Sequence, residues 1–424
     1  MSYIAQKNNG IELNRFYEED KAIHDWYRFV LSYPPHLVRK YIEIFDLNSD
    51  SVVLDPFCGT GTTLVESKKL GIKSIGIEAN PVVQMCASTK VNWNIDVIQV
   101  RKNAEKIADI AKNKIKNETT SFRYLSEDKE KLIIKNSISQ LPLHKTLILI
   151  EIVNKYADEY LSFYQTALAK HIVFSFSNLK FGPEVGVGRK KKLDADVVDI
   201  WLKTVHSMCD DIVTHDNNKD IFSHVFLADS RNDLYLIDDN SIDAVITSPP
   251  YPNEKDYSRT TRLESVLLNF VETKEELRIL KKGLLRSNTR GIYKGDDDLN
   301  WIEDNVSVTH LADLIENKRI ELGKTSGFEK LYHKVVRLYF GGMAKHLHDL
   351  KPKLKDGAKL AYVVGDQASY FRIPIRTGHL LSEIAEQLGY KVIGIDLFRT
   401  RISTVTKDML NEEVLLLEFN HEKK

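Results

Sequence analysis

Residues 51–64 read SVVLDPFCGTGTTL, an apolar run that leads into a turn with two glycines. The run at 51–57 predicts a buried strand, and LVESKKL at 64–70 predicts a helix after the turn. Glycines between a strand and a helix let the backbone approach a ligand closely and point the N–H groups of the helix N-terminus at it. The stretch therefore predicts a strand–turn–helix unit built around a ligand.

Two common phosphate-binding loops do not fit this turn. A P-loop requires Lys and then Ser or Thr after its last glycine, but Thr62 and Thr63 stand there. The dinucleotide fingerprint requires a third glycine where this sequence has Leu64. Glu78, at the end of the next predicted strand, is placed to accept hydrogen bonds from both hydroxyls of a ribose. The pattern indicates a nucleoside ligand without a lysine for phosphates.

Seven apolar, β-branched runs predict the fold class. They lie at 51–57, 74–79, 224–229, 242–248, 359–365, 391–397 and 413–419. Such near-continuous runs are typical of a parallel sheet that helices cover on both faces. The gaps after the second and fourth strands, about 145 and about 110 residues, are much longer than a crossover helix needs. The sequence thus predicts an α/β protein with a seven-stranded doubly wound sheet and two largely helical insertions.

A second distinctive turn follows the fourth predicted strand, in DAVITSPPYP at 243–252. Consecutive prolines fix φ and remove N–H donors, so the turn is stiff and presents carbonyl oxygens. Ser248 adds a hydroxyl, and Tyr251 adds a flat face on which a base could stack. By itself this could be a plain end to a strand. In a doubly wound sheet, however, strands one and four are neighbours where ligands bind, so both turns are expected to face one crevice.

The charge of the chain is balanced overall but uneven locally. Lys and Arg number 60, as do Asp and Glu, which excludes a uniformly basic nucleic-acid coat but not a basic patch. Residues 189–192 are four consecutive cations, and residues 274–294 carry seven cations against two acidic residues. Residues 295–316 carry seven acidic residues and no Lys or Arg. The two opposed blocks would either pair with each other or confine nucleic-acid binding to one face.

Several classes of protein are disfavoured by composition. The three cysteines, Cys58, Cys86 and Cys209, cannot form a disulfide framework and lack the spacing of metal ligands, so no metal is expected. No apolar run approaches the roughly 18 residues of a membrane span, and the polar opening MSYIAQKNNG does not resemble a signal peptide. A cytoplasmic protein without membrane partners is expected.

The two turns together carry a family resemblance. DPFCGTGTT at 55–63, followed by TSPPY at 247–251, resembles the S-adenosylmethionine-dependent DNA amino-methyltransferases of restriction–modification systems. YPPHLVRKYI at 33–42 resembles that family's N-terminal motif, which closes over the methionine part of the cofactor. The resemblance implies a Rossmann-like methyltransferase sheet with a reversed last strand, S-adenosyl-L-methionine as cofactor, and double-stranded DNA as partner. A cognate restriction endonuclease is a further candidate partner.

The resemblance also assigns roles to residues, residue by residue. The cofactor contacts would be Tyr33, Pro34, Asp55, Pro56, Phe57, Gly59, Thr60, Gly61, Thr62, Glu78, Ala79, Asp229 and Ser230, with Glu78 on the ribose and Asp229 near the adenine edge. The catalytic residues, which would hold a flipped-out base, are Ser248, Pro249, Pro250 and Tyr251. The turn VVGDQ at 363–367 is a further candidate border of the pocket.

Ser248 bears on the choice of target base. Serine at this position is typical of enzymes that methylate cytosine N4, whereas N6-adenine enzymes more often carry Asp or Asn. Cytosine N4 is therefore the preferred target and adenine N6 the alternative. An RNA or tRNA amino-methyltransferase and a non-catalytic nucleic-acid-binding protein with a vestigial methyltransferase fold also remain open.

The candidate DNA contacts and the domain organisation complete the interpretation. The cations expected to contact DNA are Arg189, Lys190, Lys191, Lys192, Arg259, Arg262, Arg286 and Arg290. The predicted units are an N-terminal lid with the first half of the core (1–95), a helical insertion for target recognition (96–222), the core segment with the catalytic motif (223–252), a second, mostly helical insertion for DNA contact (253–350) and the C-terminal half of the core (351–424).

Overall fold

The computed structural model describes residues 15–28, 32–118, 121–182, 184–402 and 409–421. The strands of these residues are β1 Val52–Asp55, β2 Lys73–Glu78, β3 Leu179–Phe181, β4 Val185–Val187, β5 Ser223–Leu227, β6 Ile242–Thr247, β7 Leu354–Gly365, β8 Lys391–Ile402 and β9 Met409–Phe419. Seven of them form one sheet in the order β5-β2-β1-β6-β7-β9-β8. All seven predicted strands are thereby confirmed, and β3 and β4 form a separate antiparallel hairpin.

The direction of the strands determines where a ligand site can form. β5, β2, β1, β6 and β7 run parallel to one another, whereas β9 is antiparallel to both β7 and β8. The expected reversed last strand is β9, and the Rossmann-like methyltransferase sheet is confirmed. β1 pairs directly with β6, so the turns that follow these two strands leave the same edge of the sheet side by side.

Helices cover both faces of the sheet and build the two insertions. They are α1 Lys21–His24, α2 Pro35–Ile44, α3 Thr62–Lys69, α4 Pro81–Val91, α5 Val97–Asn117, α6 Glu127–Leu132, α7 Gln140–Tyr156, α8 Leu161–His171, α9 Val197–Thr214, α10 Tyr257–Thr260, α11 Arg262–Leu267, α12 Lys274–Lys282, α13 Val306–Glu321, α14 Tyr332–Leu350 and α15 Thr377–Gln387. No helix in the described ranges is long and apolar enough to cross a membrane.

The first insertion is largely helical, as predicted. α5, α7, α8 and α9 pack around a core that includes the fully buried aromatic side chains of Tyr164 and Trp201. α7 and α8 are followed by a π-helical turn at Ile172–Phe176. Asp194, which precedes α9, pairs with Lys145 at 2.5 Å. The hairpin β3–β4 was not among the predicted strands, because strands of three residues are too short to show an alternating pattern.

The second insertion is held against the sheet by α14. A Cβ on Gly341 of this helix would lie 2.0 Å from the carbonyl oxygen of Asp298, so only glycine permits this approach. Asp298 in turn accepts a hydrogen bond of 2.5 Å from Arg231, whose side chain is 3% exposed. The insertion is thus attached to the residues that follow β5.

The segment before α2 connects the core to both insertions through buried polar contacts. His24 contacts Glu66 of α3 at 2.7 Å, and the indole of Trp26 donates to Asp211 of α9 at 2.7 Å. The hydroxyl of Tyr27 donates to Glu264 of α11 at 2.6 Å. Because Glu264 is fully buried among apolar groups, desolvation raises the pKa of its carboxyl to about 8.

This buried carboxyl generates a prediction about stability and pH. In the folded protein Glu264 holds its proton up to about pH 8, whereas in the unfolded chain it ionises at its ordinary, lower pKa. The folded state therefore binds the extra proton, so this contribution to stability is full at acidic pH and is lost as the pH rises through about 8. We expect the free energy of unfolding in urea to fall less between pH 6 and 9 for Glu264→Gln than for the wild type.

Glu303→Gln provides the matched control, because Glu303 is exposed on the second insertion. It should follow the wild-type dependence on pH. Identical pH profiles for Glu264→Gln and the wild type would show that Glu264 is ionised in the folded protein.

Candidate functional site

A cleft of about 640 Å³ opens at the carboxyl edge of the parallel strands. Two walls of it are the glycine turn (residues 56–61) after β1 and the proline turn (residues 248–251) after β6. The predicted residues that line it are Tyr33, Pro56, Phe57, Gly59, Thr60, Thr62, Glu78, Ala79, Asp229, Ser230, Ser248, Pro249, Pro250 and Tyr251. The expected single crevice is therefore present, although the two turns are far apart in sequence.

The glycine turn adopts a backbone that other residues disfavour. Gly59 has φ +49° and Gly61 has φ +81°, both in the left-handed region, and Gly61 directly precedes α3. A Cβ on Gly61 would lie 3.4 Å from the Cβ of Ala87. On β2, a Cβ on Gly76 would lie 2.9 Å from Cys58 Sγ and from Leu64 Cδ2, so the turn and α3 pack directly on the strand. Glycine is thus required for conformation in the turn and for close packing beneath it.

Glu78 lies at the end of β2 with its carboxylate in the cleft. Gly59 N–H donates to its Oε2 at 3.0 Å, and Asn80 N–H donates to its Oε1 at 2.7 Å. Burial nevertheless raises the pKa of Glu78 to about 7, against the lowering effect of these two hydrogen bonds. Because a carboxylate oxygen can accept more than one hydrogen bond, both oxygens remain able to accept from a ligand.

Three of the expected cofactor contacts do not line the cleft. Asp55 is fully buried, Pro34 is buried, and Gly61 faces Ala87. Asp55 accepts hydrogen bonds from the Tyr33 hydroxyl at 2.9 Å and from Thr247 Oγ1 at 2.6 Å. Burial raises the pKa of Asp55 to about 6. In this structure the carboxyl of Asp55 bonds to Tyr33 and Thr247, so it holds residues beside the cleft in place.

Asp229 lines the cleft but is already bonded on both carboxylate oxygens. Arg231 donates from Nε to Oδ1 at 3.0 Å and from Nη2 to Oδ2 at 2.6 Å. The same guanidinium donates to the carbonyl of Lys282, and the next residues of the second insertion, 283–285, also line the cleft. Arg231 therefore fixes Asp229 and joins the second insertion to this wall.

His346 contacts two residues of the same wall, Ser230 and Phe57. Its Nδ1 lies 3.1 Å from the carbonyl oxygen of Ser230, so Nδ1 carries the proton, and its Nε2 accepts from the Tyr362 hydroxyl at 2.8 Å. Its ring meets that of Phe57 edge-on with the centroids 5.0 Å apart. Burial lowers the pKa of His346 to about 4, so the ring is neutral near pH 7. The positions of Phe57 and Ser230 thus depend on one neutral histidine.

The proline turn is held by the neighbouring strand β7 and by α10. Ser248 Oγ donates to the carbonyl of Val363 at 3.1 Å, which leaves its oxygen free to accept from an N–H group. Tyr251 N–H donates to the hydroxyl of Tyr257 at 3.1 Å. A Cβ on Gly365 would lie 2.9 Å from Cε2 of the Tyr251 ring, so the ring packs against a glycine. Burial raises the pKa of Tyr251, and its phenol is neutral.

The cations of the 189–192 loop differ in their surroundings. Arg189 and Lys190 are exposed. The ammonium of Lys191 donates to the carbonyl of Gly188 at 2.8 Å, and that of Lys192 donates to the carbonyls of residues 174 and 175, each at 2.9 Å. The loop follows β4 of the hairpin, which reaches the cleft through Glu184. The cationic loop therefore follows the strand whose preceding residue, Glu184, lines the cleft.

Other predicted DNA contacts gather at a second pocket of about 320 Å³ beside the first. Arg259, Arg262 and Arg290 line it together with Lys281 and Asp256. Arg286, in contrast, is only 5% exposed and donates from Nε and Nη2 to the two oxygens of Asp296 at 3.0 and 2.9 Å. The charge of Arg286 is thus buried and paired, and this pair joins the basic block to the acidic block.

Among the residues of the cleft to which the sequence assigned no role are Lys255, Arg399, Arg401 and Glu412. Val363 and Gln367 of the predicted VVGDQ border also line it. Arg399 and Arg401 alternate along β8, so both side chains lie on one face of the sheet, a signal that FRTRI at 398–402 contained. Among the described residues, no group of three or more His, Cys, Asp and Glu could hold a metal ion.

The packing of the glycine turn generates a steric prediction. Gly76→Ala would place a methyl group 2.9 Å from Cys58 Sγ and Leu64 Cδ2, so the turn must shift away from β2. We expect the free energy of unfolding in urea to be about 1–3 kcal/mol lower than that of the wild type, which is typical of overpacking.

Gly394→Ala is the matched control, because Gly394 is also a strand glycine and a Cβ there meets nothing within 4 Å. It should leave the unfolding free energy within about 0.5 kcal/mol of the wild type. Equal effects of the two substitutions would contradict the close approach at Gly76.

Comparison with known proteins agrees with this geometry. Residues 5–90 match a family model described as DNA methylase. The Type II methyltransferase M.BsoBI of Geobacillus stearothermophilus is 28% identical over 448 aligned residues, which cover 96% of this chain and 84% of that protein. The Type II methyltransferase M.AvaI of Nostoc sp. is 24% identical over 407 residues, covering 88% and 80%.

A shorter match points the same way. The Type II methyltransferase M.MjaII of Methanocaldococcus jannaschii is 32% identical over 85 residues, 20% of this chain and 16% of that protein. The family model and the two long matches agree with the cleft formed by the glycine and proline turns. The chain is thus similar to DNA methylases, and these matches support the resemblance to the DNA amino-methyltransferases of restriction–modification systems.

Proposed function

We propose that the protein transfers a methyl group from S-adenosyl-L-methionine to the exocyclic amine of a flipped-out base in double-stranded DNA, with cytosine N4 as the preferred target. The observation that carries the proposal is the single cleft in which the glycine turn with Glu78 faces the proline turn. One wall has groups suited to a nucleoside, and the other has groups suited to a planar base with an amine.

The nucleoside wall fits S-adenosylmethionine by the chemistry of its donors and acceptors. Glu78 offers two carboxylate oxygens for the ribose hydroxyls, and the space beside Gly59 is open where a Cβ would point. Tyr33, Phe57 and Asp229 would enclose the rest of the cofactor. The further proposed contacts are Pro56, Thr60, Thr62, Ala79 and Ser230. When bound, the cofactor would supply an activated methyl group on a sulfonium.

The proline turn would prepare the amine of the base. The lone pair of this nitrogen is delocalised into the ring, which makes it a poor nucleophile. Ser248 Oγ and the carbonyl of Pro249 would accept its two hydrogens and favour a pyramidal nitrogen with a localised lone pair. Pro250 stiffens the turn, and the neutral ring of Tyr251 would stack on the base. Orientation within the cleft then supplies much of the acceleration.

Ser248 supports cytosine over adenine as the target. Its hydroxyl donates to Val363, and the remaining lone pairs suit an amine donor. This preference rests on the resemblance of the proline turn to that of N4-cytosine enzymes. Adenine N6 remains the alternative outcome of the experiment below.

The DNA would lie across the mouth of the cleft. The proposed phosphate contacts are Arg189, Lys190, Lys191, Lys192, Arg259, Arg262 and Arg290. Arg259 lies 3.5 Å from Glu184 of the hairpin loop, so the two insertions contact each other at this point. We propose that the insertions at 96–222 and 253–350 provide target recognition and DNA contact around the core segments 1–95, 223–252 and 351–424.

A restriction–modification role would pair the protein with an endonuclease. Two relatives that match most of the chain are named Type II methyltransferases. We infer that this protein protects host DNA from a cognate restriction endonuclease, in the cytoplasm where the DNA lies.

Mass spectrometry of nucleosides tests the proposed reaction. DNA incubated with the protein and S-adenosylmethionine should gain N4-methylcytosine, and total RNA should gain none. Ser248→Ala and Tyr251→Ala should lower the yield about 10²-fold or more with cofactor binding retained, since each removes a group that acts on the base. Exposed Ser326→Ala is the matched control and should leave the yield unchanged.

The outcomes separate the alternatives. N6-methyladenine in the DNA would replace cytosine by adenine as the target. Methylation of RNA alone would refute DNA as substrate, and cofactor binding without methylation of either would indicate a vestigial fold. Full activity of both proline-turn variants would refute their catalytic assignment.

A second prediction concerns the pH dependence of cofactor binding. The ribose hydroxyls would donate to the ionised form of Glu78, whose pKa burial raises to about 7. Affinity should therefore rise as the pH rises through about 7, by about tenfold between pH 6 and 8 if only the carboxylate binds. Isothermal titration should show this trend for the wild type and a weak, flat profile for Glu78→Gln. A wild-type affinity that is constant over this range would exclude Glu78 as the ribose acceptor.

A further inference from the structure

One wall of the cleft, here called the cationic wall, has no part in the cofactor and base contacts proposed above. It consists of Lys255, Arg399 and Arg401, which line the same cleft as the proline turn. Lys255 follows Tyr251 by four residues, and the two arginines come from β8. The wall therefore adjoins the place where the target nucleotide would enter.

The charges of this wall are only partly balanced. Arg399 bonds to Glu412 through Nε at 2.5 Å, and Arg401 Nε lies 3.6 Å from the other oxygen of the same carboxylate. Three further carboxylates line the cleft, but each has other partners: Glu184 lies 3.5 Å from Arg259, Asp229 is paired with Arg231, and Glu78 accepts from two backbone N–H groups. Glu412 is thus the one of these four carboxylates that is paired with cations of the wall, and the wall itself carries three cations and one carboxylate. A wall of this charge favours an anionic group of a ligand.

Lys255 is held in place by its backbone, and its ammonium has no acceptor within the described residues. Its N–H donates to Asn253 Oδ1 at 3.2 Å, and its carbonyl accepts from Ser287 Oγ and Asn288 Nδ2, each at 3.1 Å. The side chain is half-buried, and burial lowers the pKa of its ammonium. An ammonium only donates hydrogen bonds, so the group that it binds must be an acceptor.

We propose that the cationic wall binds the DNA phosphate next to the flipped-out nucleotide, with Lys255 as its direct contact; this inference rests on the proposed function. A nucleotide rotated out of the helix remains joined to the strand through its phosphates, so one of them must lie near the mouth of the pocket. A phosphodiester supplies the negative charge that the wall lacks, whereas a base edge would supply only neutral acceptors. Arg399 and Arg401 would contribute mainly through their charge because Glu412 already occupies them.

The test measures the salt dependence of DNA binding by Lys255→Gln. The duplex contains the target sequence of the protein. That sequence is first mapped in DNA that the protein has methylated in the mass-spectrometric experiment. Loss of one phosphate contact should lower the slope of log affinity against log salt by about 0.9 and weaken binding at low salt. Lys255→Arg, which keeps the charge, should restore most of the slope. Cofactor affinity and the urea midpoint should remain those of the wild type.

Lys73→Gln is the matched control, because Lys73 is an exposed lysine at the start of β2, on the opposite edge of the sheet. Its slope should equal that of the wild type. A duplex that lacks the target base but keeps its backbone adds a second comparison. The weakening by Lys255→Gln should persist on this abasic duplex if the contact is to phosphate.

Two results would overturn the inference. The first is an unchanged salt slope in Lys255→Gln, and the second is a loss of its binding defect on the abasic duplex, which would assign Lys255 to the base. Either result leaves the proposed function intact as long as the wild type methylates DNA. A wild type that methylates no DNA would instead refute the proposed function.

Discussion

The site depends on the pairing of β1 with β6, and the buried carboxyl of Asp55 links the ends of these two strands. Thr247, the last residue of β6, donates to Asp55, the last residue of β1, at 2.6 Å. Each of these residues directly precedes one of the two turns. Tyr33 donates to the other oxygen of Asp55 at 2.9 Å, so the segment before α2 is fixed to the same point. Because the bonds lie in a fully buried setting, a shift of either strand would leave polar groups without partners.

The second insertion is part of the site as well as an attachment to it. Arg231 bonds to Asp229 of the cleft and to Asp298 of the insertion, and its guanidinium is almost completely buried. Breaking such a network leaves an uncompensated buried charge, which costs several kcal/mol. Residues 283–285 follow α12 and line the cleft directly. If DNA binding moved α12, the wall of the cleft that contains Asp229 would therefore move as well.

The elements and the crevice could be predicted from the sequence, because both arise from local patterns with known consequences. Apolar runs indicated the seven strands, and the position of strands one and four at the switch point placed the two turns together. The partners of individual side chains could not be predicted in this way. Asp55 matches a cofactor motif yet lies behind it, and Arg286 belongs to a basic block yet is paired with Asp296. Such pairings depend on tertiary packing over distances that a one-dimensional pattern does not encode.

These pairings show where part of the balanced charge of the chain lies. Arg286 with Asp296 and Arg231 with Asp298 use acidic residues of the 295–316 block to neutralise cations inside the fold. These partners are internal, whereas Asp297, Glu303, Asp304 and Asp313 of the same block are exposed. The neutral total therefore combines cations paired inside the fold with acidic side chains on the surface. What a ligand meets depends on where each charge lies, so the cations that line the cleft can attract an anionic group although the chain has no net charge.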